Sequence, residues 1–433
     1  MKKYSFIIVL IILDLTLKAQ SVLTLQQVVE IALKNNYSIT VAKTQSEIAK
    51  KNNTLGNAGF SPSLSVNANG SYSNNNTKQD YSSGLTINSA GVVSNGLNGA
   101  VVLNWTIFDG LKMFATHNKL KELQTIGELN AKVEIENAVS RIMLAYYDVV
   151  RQQQMIRASN EAIKLNEERQ KISEKKLEIG AASKLDVLQA KVDVNARRSE
   201  LIKERIAIDN LKITLNQLMG QKVDNQFEVT DTIAITYKPT YDELKNNAPK
   251  NNNSLVVAQH SITVAEYAKK EINALRLPQV AVNANYVFAR TQNQIGFVLL
   301  NQNLGFNTGF TASWTLFNGL KNRTSYKNAQ LQQYIAQVQY NQTQNTVEAS
   351  ILKAWYNLQA TNELLKLEEE SILLARENVA VAMERFKLGN GTSIEVMTAQ
   401  NSLNDANNRL ISARYDAKSA EIELMRINGA LVK

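Results

Sequence analysis

The sequence predicts an internally duplicated α+β protein, in which each half contains two β-strands and one long α-helical hairpin. The first observation is a repeated motif: WTIFDGLK at residues 105–112 recurs as WTLFNGLK at residues 314–321, an offset of 209. About 116 residues match at this offset without a net insertion, which indicates an internal duplication. The other observations are long stretches without proline, which permit long helices, and segments in which apolar and polar residues alternate.

The composition excludes several classes of protein and site. The chain has 433 residues, 44% of them hydrophobic, and no cysteine. Disulfides, thiolate metal sites, a thiol nucleophile and a lipid anchor on an N-terminal cysteine are therefore excluded. The net charge of +9 comes from scattered Lys and Arg, which does not favour binding of nucleic acid. No catalytic constellation, metal-ligand cluster or cofactor motif stands out, so we expect neither an enzyme nor a bound cofactor.

Residues 1–20 are predicted to be a secretory signal peptide. Lys2 and Lys3 precede an apolar stretch, residues 6–13, that is too short to span a bilayer. The alternative is a disordered or anchored N-terminus. A signal peptide predicts that the mature protein is exported.

The first repeat is assigned to residues 21–220. Leucine, valine and tyrosine alternate with serine and asparagine in its strands, and after Gly110 the apolar period becomes helical. Gly110 is interpreted as the residue that lets the chain turn from strand to helix, because glycine adopts unusual backbone angles cheaply. The predicted helix, strand pair and long helical hairpin cover residues 25–57, 61–78, 97–108 and 111–219.

The second repeat is assigned to residues 240–433, after a linker at 221–239 that contains a strand-like segment. Gly319 takes the place of Gly110 at its strand-to-helix junction. The elements follow the same order as in the first repeat, with a helix, two strands and a hairpin predicted at 241–275, 278–293, 303–317 and 319–429.

The long helices have two apolar edges. In the second repeat, residues spaced by seven form one edge, and a second stripe lies two residues later, which is about 200° around the helix. Such a helix suits neighbours on both sides, as in a closed ring; the alternative is a helix at the centre of a bundle. The two stripes are Ile351, Leu358, Leu365, Ile372, Val379 and Phe386, and Leu367, Leu374, Val381 and Leu388.

The four amphipathic strands cannot close a roomy barrel by themselves and would expose open edges. We therefore expect them to need identical partners. Alternating strands in an exported protein favour an outer-membrane barrel. Trp105 and Trp314 lie at the predicted strand ends, where aromatic residues mark a membrane interface; a position in the protein core is the alternative.

The motifs resemble those of the TolC family of outer-membrane efflux proteins. The resemblance is carried by the paired WT(I/L)F(D/N)G junctions, by the paired turns LEIGAASKLDV (177–187) and FKLGNGTSIEV (386–396), and by TLQQVVEIA (24–32). It implies a homotrimer with a twelve-stranded transmembrane β-barrel, continued by a periplasmic α-barrel of long helices, with residues 221–239 forming an equatorial collar.

The resemblance also implies a function and partners. The expected role is the passive exit duct of a tripartite efflux or type I secretion system, located in the outer membrane and extending into the periplasm. The expected partners are two further copies of the chain, a periplasmic adaptor protein, an inner-membrane pump and outer-membrane lipid, with no nucleic acid. Drugs, metal ions and proteins remain alternative cargoes. A non-catalytic coiled-coil scaffold of the cell envelope is the alternative function.

By the same resemblance, Glu395 corresponds to an acid that narrows the periplasmic entrance, and Asp186 to an acid that helps to hold it shut. A second acid of the family falls on Thr398, which predicts a weaker acidic ring. For both carboxylates the alternative is a simple interaction with the helix dipole. The lysine-rich stretch 171–176 is interpreted as a solvated helix face, with adaptor docking as the alternative. The tips expected to dock the adaptor are Gly180, Ala181 and Ala182, and Gly389, Asn390 and Gly391.

Overall fold

The computed structural model describes residues 22–230 and 232–431; the predicted signal peptide at 1–20 lies outside these residues. The described chain divides into two compact units, and each draws segments from both sequence repeats. The first, here called the helical unit, contains the chain up to Gln45, Leu129–Val256 and the chain from Thr343 onward. The second, here called the strand unit, contains Ser46–Glu128 and Val257–Gln342.

The elements occur in the same order in both repeats, so the predicted duplicated α+β fold is confirmed. The first repeat contains β1 (Val22–Leu23), α1 (Leu25–Asn35), α2 (Tyr37–Asn52), α3 (Leu55–Ala58), β2 (Ser63–Asp80), β3 (Thr86–Phe108), α4 (Lys112–Glu178) and α5 (Lys184–Met219). The linker contains β4 (Glu228–Val229). The second repeat contains α6 (Tyr241–Asn251), α7 (Asn253–Ala274), β5 (Gln279–Asn293), β6 (Leu300–Ser313), α8 (Lys321–Lys387) and α9 (Ser393–Ile427).

The strand unit contains an open antiparallel sheet with the order β2-β3-β5-β6. Successive side chains of a strand point to opposite faces. One face carries most of the large apolar residues, such as Val66, Val101 and Phe310, and the other carries mainly Ser, Asn and Thr. Within the described part of the chain, β2 and β6 each have a partner strand on one side only, so both are free edges of the sheet.

The strand bounds differ most from the prediction at the start of β3 and the end of β6, whereas the other strand ends agree within three residues. β3 begins at Thr86 rather than at residue 97, because the Gly-, Asn- and Ser-rich segment that resembles a loop pairs with β2 as far as Asp80. β6 ends at Ser313 rather than at residue 317. The reason is that β5 begins at Gln279, directly opposite Ser313, and that no strand of the residues that the structure describes lies opposite the residues beyond.

In the helical unit, an asparagine interrupts the first helix of each repeat. The Asn36 side chain accepts a hydrogen bond from Ile39 N at 3.1 Å and donates one to the Leu218 carbonyl at 2.7 Å. Asn252 makes the equivalent bonds, to Leu255 N at 3.0 Å and to the Ile427 carbonyl at 2.8 Å. Each amide therefore caps one helix and binds the C-terminal carbonyl of another.

The two predicted apolar edges of the long helix in the second repeat differ in burial within one protomer. The first edge of α8 is mostly buried; Ile351, Leu358 and Phe386 belong to its apolar clusters with α9. The second edge is exposed, and Leu374 at its centre is 69% exposed. Among the described residues, no helix combines the length and the hydropathy that a bilayer span requires.

The linker is held to the helical unit by two sets of contacts. β4 pairs in parallel with β1, and the Tyr146 hydroxyl donates to the Leu23 carbonyl at 3.1 Å. Further along, the buried Glu421 carboxylate accepts bonds from Thr236 N at 2.8 Å and Tyr237 N at 2.6 Å. Lys418 pairs with this carboxylate at 2.5 Å. Only Glu228–Val229 of the predicted strand-like segment 227–237 is a strand among the described residues. Further along, side chains of α9 bind the Ala234 carbonyl and the N–H groups of residues 236 and 237 in place of a partner strand.

Candidate functional site

The turns of the two long hairpins, both in the helical unit, share one backbone conformation. Gly180 has a φ of 75° and Gly389 a φ of 85°, in the left-handed region that favours glycine. The residue after each glycine donates back across the helix end: Ala181 N to the Lys176 carbonyl at 2.7 Å, and Asn390 N to the Arg385 carbonyl at 2.9 Å. These bonds satisfy carbonyls that would otherwise be left unpaired at the helix end.

The return helices begin with matching caps, but their acidic residues are used differently. Ser183 Oγ accepts from Asp186 N at 3.2 Å, and the Asp186 carboxylate accepts in return from Ser183 N at 3.0 Å and from Ser183 Oγ at 2.8 Å. Thr392 Oγ1 accepts from Glu395 N at 3.2 Å, without a return bond. Asp186 is therefore engaged in its own helix cap, whereas the Glu395 carboxylate is not.

The Glu395 carboxylate faces Arg385 across the second turn. The separation between Glu395 Oε2 and Arg385 Nη2 is 3.9 Å, and both side chains are more than half exposed. Arg385 also donates to the Asn390 carbonyl at 3.1 Å. A Cβ at Gly391 would lie 3.2 Å from Glu395 Oε2, so the glycine leaves room for this pair. The structure thus places Glu395 as an exposed, weakly paired carboxylate, and no hydrogen bond or ion pair joins it to Asp186 within the described protomer.

Each tip also exposes two aliphatic side chains, and of these four residues the sequence pattern singled out only Leu388, as the last residue of the second apolar stripe. Ile179 and Leu185 flank the first turn, and Leu388 and Ile394 occupy the equivalent positions of the second; all four are 68–79% exposed. Ala181 and Gly389 lie between them and are also exposed. The repeat offset of 209 could have revealed these residues, because it relates Ile179 to Leu388 and Leu185 to Ile394.

Contacts between the two hairpins lie close behind the tips. The Lys176 ammonium donates to the Phe386 carbonyl and lies 4.2 Å from the centre of the Phe386 ring. Lys387 pairs with Glu168 at 3.1 Å, and Gln400 Nε2 donates to the Leu165 carbonyl at 2.8 Å. The interpretation of residues 171–176 as only a solvated face is therefore wrong for Lys176, because its side chain binds the other hairpin, at a residue 210 positions away in the sequence.

The strand-to-helix junctions are built in the same way in both repeats of the strand unit. Gly110 and Gly319 have φ angles of 72° and 66°, as the predicted turn requires. The leucine that follows each of them, Leu111 and Leu320, also has a positive φ, 70° and 65°. A non-glycine residue in this region is strained, and its repetition at both junctions marks a shared backbone device.

The two tryptophans make equivalent hydrogen bonds at these junctions. Trp105 Nε1 donates to the Phe60 carbonyl at 2.9 Å, and Trp314 Nε1 donates to the Arg276 carbonyl at 3.0 Å. Both acceptors lie two residues before the proline that precedes each strand pair. Both indole rings remain exposed in the protomer. The hydrogen bonds are compatible with the expected membrane-interface position, which stays a prediction.

Several groups of the helical unit have perturbed pKa values, among them the buried Glu136 and the half-buried Tyr415. Burial raises the pKa of Glu136, against the opposing effects of a 2.9 Å hydrogen bond from Asn253 and the charges of Arg426 and Lys132. Burial also raises the pKa of Tyr415 to about 12, together with the neighbouring Asp148 carboxylate, to which the hydroxyl donates at 3.0 Å. Among the described residues, no cluster of His, Asp and Glu could hold a metal ion.

Comparison with known proteins gives consistent matches. The model of the family described as "Outer membrane efflux protein" matches residues 28–221 and 244–430. The chain is 21% identical over 404 residues to the outer membrane efflux protein BepC of Brucella suis biovar 1, covering 92% of this chain and 84% of BepC. It is 22% identical over 303 residues to the outer membrane protein TolC of Vibrio cholerae serotype O1, covering 68% of each.

A solved structure shares the fold. The crystal structure of the outer membrane protein VceC from Vibrio cholerae superposes with a TM-score of 0.76 at 20% identity. The match covers 94% of this chain and 96% of VceC. The long helical hairpins and the four-stranded sheet therefore belong to one fold, which both chains share.

Proposed function

The chain belongs to the outer membrane efflux protein family, and from this premise we propose that it forms a passive exit duct across the outer membrane for substrates delivered by an inner-membrane pump. The observation that carries the proposal is the open sheet. Four antiparallel strands leave β2 and β6 as free edges, 18 and 14 residues long. Free edges of this length pair with other strands or aggregate.

The strand directions support closure by copies of the same chain. Because all three pairings in the order β2-β3-β5-β6 are antiparallel, β2 and β6 run in opposite directions. β6 of one protomer can therefore pair antiparallel with β2 of the next, and such a head-to-tail contact closes into a ring. Three protomers give twelve strands, whose apolar face meets outer-membrane lipid and whose Asn- and Ser-rich face lines the lumen. The exposed second edge of α8 faces a neighbouring protomer in the same ring.

The hairpin tips form the periplasmic entrance in this proposal. The exposed aliphatic pairs, Ile179 with Leu185 and Leu388 with Ile394, give each tip an apolar surface for a periplasmic adaptor protein. Glu395 contributes one carboxylate per protomer to the constriction, while Asp186 caps its helix. The contact from Lys176 to the Phe386 carbonyl holds the two hairpins of one protomer together at this entrance.

The test is assembly and conductance of the purified protein. We expect a trimer by light scattering in detergent, and stepwise ion conductance after reconstitution into planar bilayers. A monodisperse, folded monomer without conductance would contradict the duct. The same result, found together with extended helical fibres in the cell envelope, would favour the scaffold.

A further inference from the structure

The strand unit contains an internal contact between the two repeats and two surfaces that lack an equivalent partner. β3 of the first repeat pairs with β5 of the second, so both of these strands are interior. β6 is the repeat counterpart of β3, and β2 is the counterpart of β5, yet both are edges. The protomer therefore exposes two strand edges, β6 and β2, that are equivalent to the two strands already paired in its internal β3–β5 contact.

The two hairpins correspond residue by residue. The first strand of each hairpin is related by an offset of 216, as for Pro62 and Pro278, and the second by 209. Applying these offsets to the pair Ser63 and Asn104 gives Gln279 and Ser313, which are paired in the structure. The two hairpins thus share one register, although the loop of the first is longer.

The same offsets, applied to the residue pairs of the internal β3–β5 contact, give the residue pairs expected between β6 of one copy and β2 of the next. Val101 pairs with Tyr286 in the β3–β5 ladder, and Val102 pairs with Asn285. Adding 209 to the first member and subtracting 216 from the second gives Phe310 with Gly70, and Thr311 with Asn69. We propose that β6 of one protomer pairs with β2 of the next in this register; the inference rests on the ring proposed above.

The faces of the sheet agree with this register. Phe310 and Gly70 both lie on the apolar face, and Thr311 and Asn69 both lie on the polar face. A slip by one residue would turn every side chain of one strand to the wrong face. The register therefore continues both faces without interruption from one protomer to the next.

The junction glycines indicate where the neighbouring helix lies. A Cβ at Gly110 would collide with the Ala274 carbonyl oxygen and lie 2.8 Å from Leu277 Cβ, so this glycine lets α7 approach closely. At Gly319, its counterpart, no atom of residues 22–230 and 232–431 lies within 4 Å of a Cβ. By the same offsets, Ala58 and Ser61 of the neighbouring copy occupy the space beside Gly319.

The exposed helix surfaces of the strand unit support the same neighbour. In the internal contact, Glu122 of α4 and Glu271 of α7 are largely covered: Glu271 pairs with Lys119, and Glu122 Oε2 lies 2.6 Å from His260 Nδ1. Their counterparts are apolar and uncovered: Leu331 is 60% exposed and Leu55 is 56% exposed. Apolar residues at positions equivalent to a covered contact are expected to be covered as well, because burial of apolar surface is favourable.

Cysteine cross-linking tests the register, because the natural chain contains no cysteine. The two in-register pairs are Phe310→Cys with Gly70→Cys and Thr311→Cys with Asn69→Cys, one on each face. The out-of-register controls keep Phe310→Cys and move its partner by two residues, to Ala68→Cys or Tyr72→Cys. Within one protomer, β3 and β5 separate β2 from β6 by about 14 Å, so a disulfide can form only between copies.

We expect oxidation of the detergent-solubilised trimer to give covalent dimers and trimers on non-reducing denaturing gels. The yield should be at least about fivefold higher for an in-register pair than for the controls, because diagonal neighbours lie about 7–8 Å apart. A cross-linking yield that is highest for the partner at residue 68 or 72, in an intact trimer, would contradict the register but not the proposed duct. A cysteine-free parent that is monomeric by light scattering would overturn the duct and the register together.

Discussion

At the scale of single residues, polar side chains decide where the helices break and how the linker is held. Asn36 and Asn252 each cap one helix and bind the end of another, so one residue type performs the same task in both repeats. Glu421 binds two backbone N–H groups of the linker while pairing with Lys418. A buried carboxylate is tolerated here because hydrogen bonds and a cation compensate its desolvation.

Glu136 gives a prediction at the scale of one residue, because its hydrogen bond and neighbouring charges compensate the desolvation of its carboxylate only in part. Its pKa is higher in the folded protein than its ordinary value of 4.5, so the folded state binds the proton more tightly. The stability from this group is full below pH 4.5 and is lost as the pH rises through the folded-state pKa. We expect Glu136→Gln to melt roughly 1–3 °C above the wild type at neutral pH, and the difference to close near pH 4.

The control for this prediction is Glu161→Gln, which removes the same charge from an exposed position of α4. The measurement is the thermal transition of the purified protein by circular dichroism at several pH values. A Glu136→Gln difference that stays constant with pH, or that has the opposite sign at neutral pH, would show that burial does not dominate at this carboxylate.

At the scale of elements, the periodic pattern predicted the helices well and the strands less well. The heptad residues from Ile351 to Phe386 identified the buried edge of α8, because a helix is a local structure whose period is visible in the sequence. The start of β3 at Thr86 was missed, because a ladder is a non-local structure and its Asn and Ser residues resemble a loop. Likewise Trp105 was found, but its bond to the Phe60 carbonyl depends on a partner 45 residues away.

The hairpin tips give an element-scale prediction about adaptor binding. Ile179 and Leu185 are exposed beside a rigid turn, where polar substitutions should leave the fold intact. We expect Ile179→Asn with Leu185→Asn to reduce the recovery of the periplasmic adaptor several-fold, because its apolar contact surface is lost. The measurement is affinity purification from envelopes with quantification by mass spectrometry. Val223→Asn, at an exposed linker position, is the matched control, and equal recovery from both would exclude the tip as the docking surface.

The junction glycines give a second element-scale prediction. Alanine at either position costs about 1–2 kcal/mol for its positive φ, and at Gly110 it also collides with α7. If the neighbouring copy fills the space beside Gly319, Gly110→Ala and Gly319→Ala should reduce the yield of trimer to a similar extent. Gly305→Ala, at a strand position with open space, should not reduce it. A Gly319→Ala yield equal to that of the control would mean that no neighbour approaches this junction.

At the scale of the whole molecule, the duplication explains the architecture more fully than either repeat does alone. Each repeat presents a strand pair with one covered and one free side, so the internal contact and the proposed contact between copies are variants of one interface. The sequence predicted this duplication because matching motifs share a single offset. It did not predict which helix surfaces remain exposed in the protomer. The covered positions carry the polar residues Glu122 and Glu271, whereas the equivalent exposed positions carry Leu331 and Leu55, so residue polarity does not indicate burial here.

The entrance gives the prediction for the whole assembly. Although the chain has a net charge of +9, three copies of Glu395 near one axis should favour cations, since the local charge at a constriction outweighs distant, screened charges. Arg385, 3.9 Å from this carboxylate, weakens the preference. We therefore expect Glu395→Gln to lower cation selectivity and Arg385→Gln to raise it. Asp186→Asn should change selectivity less, because that carboxylate is engaged in its own helix cap.

The measurement is the reversal potential in planar bilayers under a salt gradient at neutral pH. Folding should be unaffected, because an exposed acid in the first turn of a helix contributes only about 0.3–1 kcal/mol. Equal selectivity of the wild type and Glu395→Gln would assign Glu395 to the helix dipole alone and place the constriction elsewhere along the duct.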